Sequence, residues 1–147
     1  MTPFSDMDFI RESNRIEGIL REPTDAEFRE HIRFTSLAEV DIGDLVHFVS
    51  VYQPDAQLRR KPGMNVRVGN HFPPPGGKHI VDQLKAILAR QNELSAYELH
   101  QQFESLHPFL DGNRRSGRAL WLWKMGTAPL GFLHTWYYQS LSNWRKP

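Results

Sequence analysis

Apolar residues recur at three- and four-residue intervals along most of the chain, the period of helices that bury one face. Phe9, Ile10, Ser13, Ile16, Glu17 and Leu20 share such a face, which predicts a helix over about residues 6–20. Thr24 and Glu27 form a capping box that opens a second stripe, Phe28, Ile32 and Thr35. Asp41 is placed to cap a helix carrying Leu45, Val46, Phe48, Val49 and Tyr52, which Pro54 ends. Ile80, Leu84, Ile87, Leu88 and Gln91 mark a fourth helix, and the Ser95–Glu98 box opens a fifth with Leu99, Phe103 and Leu106. Asn113 to Met125 and Trp136 to Trp144 read as the last two. Trp121, Trp123, Trp136 and Trp144 fit core and helix packing. The pattern predicts an all-α protein.

One stretch breaks the rhythm. Residues 54–77 hold nine of the twenty Gly and Pro residues, among them Pro73-Pro74-Pro75 and Gly76-Gly77. Inside it, Val66-Arg67-Val68 alternates between Gly63 and Gly69, which suits a short β-ribbon between turns. A long, proline-stiffened loop within a helical domain is more often functional than a slack linker.

Composition narrows the class. A chain of 147 residues fits one domain, 1–147, and with 39% hydrophobic and 24% charged residues it is ordinary for a globular protein. The absence of cysteine removes disulfides, thiolate zinc sites and cysteine nucleophiles, and agrees with a reducing, cytoplasmic location. No apolar run is long enough to cross a bilayer, and the first residues lack signal-peptide features, so no membrane partner is expected. The net charge of +1 hides a split: residues 1–55 carry 12 acids and 5 bases (−7), and residues 56–147 carry 5 acids and 13 bases (+8). Either the basic part takes an anionic ligand or the two parts attract each other across the fold. Nucleic acid is not expected. The histidines show no tight metal spacing.

The densest chemistry lies in His107-Pro-Phe-Leu-Asp-Gly-Asn-Arg-Arg-Ser-Gly-Arg118. A helix ending near Leu106 delivers His107 into a loop, and Gly112-Asn113 opens the next helix. The amides at that helix start make an anion site, and Gly112 lets an anion approach the main chain. Arg115 and Arg118 lie three apart on one helix face and can fork onto phosphate oxygens. Asp111, a hard carboxylate beside them, suits Mg2+ that also touches phosphates. His107 has the pKa range of a general base, and Phe109 reads as an anchor for the loop. These are the parts of a phosphoryl- or nucleotidyl-transfer site.

His107 to Arg118 resembles the signature of the Fic family, His-x-Phe-x-Asp/Glu-Gly-Asn-Gly/Lys-Arg-x-x-Arg. The resemblance extends to Leu99–Leu106, the helix leading into the motif, and to the 63–75 stretch, similar to the family's flap; together it covers about residues 40–125. It implies an all-α domain with a central helical hairpin and a small β-hairpin flap. It also implies transfer of AMP from ATP to the hydroxyl of a Ser, Thr or Tyr in a target protein. In that role His107 would be the base and Asp111 would hold Mg2+. Gly112, Asn113 and the arginines, Arg114 among them, would meet the phosphates. Val66, Arg67 and Val68 would dock the target as an added strand. A homodimer is compatible with this reading.

Ser13-Asn-Arg-Ile-Glu17-Gly18 is similar to the family's inhibitory motif, Ser/Thr-x-x-x-Glu-Gly/Asn. Ser13 and Glu17 share a helix face, so the resemblance implies that Glu17 occupies Arg118, the arginine meant for the γ-phosphate. In some members the same glutamate helps a water remove AMP. Arg114 departs from the pattern, because AMP-transferring members have Gly there and the Doc toxins, which resemble kinases, have Lys. A Doc-like protein phosphotransferase and a non-catalytic nucleotide-binding module therefore stand beside the autoinhibited adenylyltransferase.

Overall fold

The computed structural model describes residues 5–126, in which six helices follow one another: α1 (Asp6–Ile16), α2 (Asp25–Thr35), α3 (Ile42–Tyr52), α4 (Lys78–Ala89), α5 (Ala96–Leu106) and α6 (Asn113–Met125). The helix expected over Trp136–Trp144, and those two tryptophans, lie outside the described residues. Capping boxes form where the sequence places them, at Thr24/Glu27 and Ser95/Glu98, and a third joins Asp41 to Asp44. Each satisfies helix-end amides that would otherwise lack partners.

The antiparallel hairpin α5–α6 is the centre. On one side α6 packs against α1, α2 and α3; on the other, α4 covers α5. Phe34, Leu45, Ile80, Leu84, Leu99, Phe103, Phe109 and Leu120 form the main core. A smaller cluster of Phe9, Ala96, Trp121 and Leu122 seats α1 on the hairpin. Trp123 is half-buried and donates its indole N–H to the Leu37 carbonyl at 2.7 Å. Gln91 lies beyond the end of α4 and is buried, where its amide staples both main-chain groups of Val40 at 2.8 Å. No helix among the described residues is long and apolar enough to cross a membrane.

Three expectations are corrected. Helix α1 stops at Ile16 rather than near residue 20, because Gly18 takes φ 79° and the Ile19 amide turns back to the Asn14 carbonyl. Leu20 is consequently exposed. On α2 the inward face is Glu27, Glu30, His31 and Phe34, and Ile32 is exposed. Charge can face inward there because partners meet it: Arg33 forks onto Glu30 at 2.6 and 2.8 Å, and Arg21 onto Glu27 at 2.9 and 3.1 Å.

The third concerns the flap. The 54–77 connection forms no β-hairpin of paired strands; Val68 and His71 make a single antiparallel rung around Gly69-Asn70, exchanging bonds of 3.0 and 2.8 Å. The next hydrogen-bonded rung would pair Val66 with residue 73, and Pro73 has no amide to donate. The connection is tied down instead along the α5–α6 loop. Leu58 bridges Phe109, the Arg59 amide donates to the Pro108 carbonyl, and the Leu110 amide donates to the Gln57 carbonyl.

The two apolar faces give a direct comparison. Phe103→Ala, at the hairpin centre, is expected to cost about 3–5 kcal/mol of unfolding free energy. Ile32→Ala is expected to stay within about 0.5 kcal/mol of the parent. Urea unfolding of the two variants measures both.

Candidate active site

Residue His107 caps the C-terminus of α5 in the left-handed conformation, φ 51°, and among the described residues it alone does so without being glycine. The following loop is held from inside. The Asn113 side chain accepts from the Phe109 amide at 2.9 Å and donates to the Phe109 carbonyl at 2.7 Å. Phe109 itself is buried in the core. Gly112 then starts α6 at φ 81°, and a Cβ there would meet Val49 and Gln53 side chains at 3.2 and 3.3 Å. Glycine is thus required by conformation and by packing. Since Gly112 has no side chain, α6 begins without a side-chain cap.

A cleft of about 500 Å³ opens over this turn. Its walls include His107, Asp111, Gly112, Asn113, Arg114 and Arg115 from the motif, Arg67 and Val68 from the 54–77 connection, and Glu17 from the end of α1. Val66 lies outside its lining. Arg67 is exposed, with its guanidinium 4.9 Å from the Phe72 ring centre.

The two arginines predicted to share a face are both buried against α1. Arg118 is fully buried; its Nη2 donates to Glu17 Oε2 at 2.6 Å and to the Ser13 carbonyl at 3.0 Å, and its Nε donates to the Ser13 hydroxyl at 2.9 Å. Arg115 donates to Asn14 Oδ1 at 3.1 Å and to the Tyr52 carbonyl and Gln53 Oε1, both at 2.9 Å. The Glu27 carboxylate stands 3.8 Å away. The acidic front of the chain therefore meets the basic back at this site. Asn14, inside the Ser13–Glu17 segment, and Glu27, read only as part of a cap, both belong to the arrangement. Their signal in the sequence was position alone: each follows the helix face that carries Ser13 or the α2 cap.

Electrostatics set the proton positions. Burial pushes the His107 imidazole down to about 4; the Glu104 main-chain carbonyl opposes this, while the charges of Arg114, Arg59 and His71 add to it. At neutral pH the ring is uncharged, the form that accepts a proton. Behind it, Glu104 is fully buried between α5 and α6, and burial pushes its carboxyl up to about 8 against the charges of Arg118 and Arg114. Neither oxygen has a hydrogen-bond partner among the described residues. Gly117 makes room for it, since a Cβ there would fall 2.1 Å from Glu104 Oε1. His100, whose Nδ1 lies 2.9 Å from the Gly117 carbonyl, is also pushed down by burial to about 4.

Asp111 is exposed at the cleft and its Oδ1 accepts from the Gly112 amide at 2.8 Å. The described residues contain no group of three or more His, Cys, Asp or Glu suited to a metal ion. Mg2+ at nucleotide sites typically needs one or two carboxylates, with phosphates and water completing the shell, so a single Asp111 fits that role.

The Fic/DOC family matches the chain over residues 40–124, a span that includes α3 to α5, all of α6 but its last residue, the 54–77 connection and the whole His107–Arg118 motif. The chain belongs to the Fic/DOC family. It is thereby a protein-modifying transferase of the Fic/DOC type. Helix α1, with Ser13 and Glu17, precedes the matched span.

The buried carboxyl yields a pH prediction. The folded Glu104 keeps its proton up to about pH 8, whereas the unfolded chain releases it near the usual 4.5. Between those values the folded state binds more protons, so this group's stabilising contribution is lost as pH rises through the window. The difference in unfolding free energy between the parent and Glu104→Gln is expected to fall steadily from about pH 5 to pH 8. Urea titrations at four pH values measure the slope.

Proposed function

We propose that the chain is an autoinhibited adenylyltransferase that transfers AMP from ATP to a Ser, Thr or Tyr hydroxyl of a protein. The observation that carries the reading is the 2.6 Å pair of the buried Arg118 with Glu17, a residue that lines the same cleft as an uncharged His107. In transfer, His107 accepts the proton of the target hydroxyl as its oxygen bonds to the α-phosphorus, and pyrophosphate leaves. Uncapped amides at the start of α6, with Arg115 and Arg118, receive the phosphates. Asn113 serves this site mainly by fixing the loop, because its side chain is committed to Phe109. Asp111 would hold Mg2+, which supplies charge neutralisation to the phosphates when bound. Arg67 and Val68, at the cleft wall, are the part of the flap placed to receive the target segment.

Inhibition follows from charge. Glu17 gives Arg118 the anionic partner that a γ-phosphate would otherwise supply, so the nucleotide must displace it to adopt the transferring pose. Arg114 favours a second reading. It lines the cleft where AMP-transferring relatives have Gly, and its bulk takes space from the β- and γ-phosphates while its charge still attracts them. The Doc-like alternative, transfer of the γ-phosphate, rests on that side chain.

Incubation with ATP labelled at the α- or the γ-phosphate separates the readings. Glu17→Gly is expected to raise α-label on the protein at least tenfold, and His107→Ala in that background to lower it by about 10²–10⁴-fold with Mg-ATP still bound. Predominant γ-label would establish the Doc-like reaction, and no label in Glu17→Gly would exclude both.

Arg114→Gly in the Glu17→Gly background is expected to transfer AMP faster, and Arg114→Lys to match Arg114 itself. The initial rate of α-label incorporation decides it. A slower Arg114→Gly would assign the arginine an assisting role.

A further inference from the structure

Among the described residues Arg59 has no carboxylate partner, yet it is fully buried. Its guanidinium is satisfied by four main-chain carbonyls. One edge serves the end of α5: Nε donates to the His107 carbonyl at 2.7 Å and Nη2 to the Leu106 carbonyl at 2.8 Å. The remaining nitrogen, Nη1, serves the 54–77 connection, donating to Met64 at 3.1 Å and Pro74 at 2.8 Å. Those two residues flank the Val68–His71 rung on either side. The backbone repeats the pattern, with the Arg59 amide on the Pro108 carbonyl and the Arg59 carbonyl receiving the Gly77 amide.

We propose that Arg59 is a positioning residue that joins the flap to the catalytic base, so that the cleft wall carrying Val68 and the His107 ring keep one fixed separation. The proposal rests on the reading of His107 as base and of the flap as the target's seat. Three observations support it. His107 sits in a left-handed conformation that a non-glycine residue keeps only when its surroundings over-determine it, and Arg59 grips its carbonyl. The acceptors Leu106 and His107 are the last carbonyls of α5, the negative end of the helix, where a cation is favoured. A planar guanidinium transmits position between its edges, which a flexible ammonium with one donor centre does not. The flap has one further tie to α5, the ring of His71, whose Nε2 lies 2.7 Å from the Ser105 carbonyl. The groups whose electrostatics act on the His107 ring are Arg114 from α6, Arg59 and His71 from the connection, and the Glu104 carbonyl from α5.

The test uses the full chain carrying Glu17→Gly. Arg59→Lys keeps the charge but loses the fork. It is expected to retain Mg-ATP affinity within about twofold, since Arg59 lies outside the cleft, and to lower the maximal rate of self-modification by about 10²-fold, the scale of misplacing a reacting group. A native rate in folded Arg59→Lys overturns the proposal. Two readouts do not depend on any reaction: exchange of the Val68 and His71 amides, and the NMR shift and titration of the His107 ring. Both are expected to change together in Arg59→Lys. Asn65→Ala approaches from the other end and covers the case in which Arg59→Lys does not fold. Asn65 Oδ1 accepts from the Gly76 amide at 2.9 Å and closes the flap base through a hydrogen bond that does not involve Arg59. Faster exchange at Val68 with a shifted His107 ring supports the coupling. Faster exchange with an unmoved His107 ring contradicts it, even if AMP transfer proves to be the reaction.

Discussion

A guanidinium withdrawn from water must be surrounded by acceptors, and three such groups organise this protein. Arg59 and Arg118 are fully buried and Arg115 nearly so. Arg59 collects the carbonyls at the end of α5 and at the ends of the flap. Arg115 collects α3 and Asn14, and Arg118 collects Ser13 and Glu17. Hydrophobic burial brings the helices together, but these forks fix how α1 and the flap sit on the α5–α6 hairpin. Removing any acceptor leaves a charged donor short of a partner, so the three regions constrain one another.

Under the proposed function, the same placement lets inhibition and chemistry share one set of residues. In the proposed function Arg115 and Arg118 receive the phosphates, and α1 supplies Arg118 with an anion until nucleotide displaces it. Glu17 stands just past the last turn of α1, at the turn that Gly18 enforces. Glu17 lines the cleft there, one helical turn past Ser13.

The sequence made the site more legible than the scaffold that aims it. Capping boxes at Thr24 and Ser95, the hairpin around His107–Arg118 and the stripe through Leu99, Phe103 and Leu106 are local patterns, and local patterns are what helical periodicity records. The Ser13–Glu17 spacing was legible as a motif, and its target Arg118 followed from the family resemblance. Three things were not. The inward face of α2 is charged, and its stability depends on Arg33 of the same helix and on Arg21 reaching it from the α1–α2 connection. The flap's pairing stops at one rung because of a single missing amide at Pro73. Arg59 lies in an Arg-Arg-Lys run that reads as solvated surface, and only the path of the connection across the α5–α6 loop buries it.

The central claim is that Glu17 stands where the outer phosphate of ATP should bind. Calorimetric titration of the full chain with Mg-ATP and with Mg-AMP tests it without any target protein. AMP has no outer phosphates, so Glu17 should leave its affinity nearly unchanged. The account predicts that Glu17→Gly raises the preference for ATP over AMP at least tenfold, about 1.4 kcal/mol. An unchanged preference in Glu17→Gly would show that Arg118 does not receive the γ-phosphate, and would contradict the account.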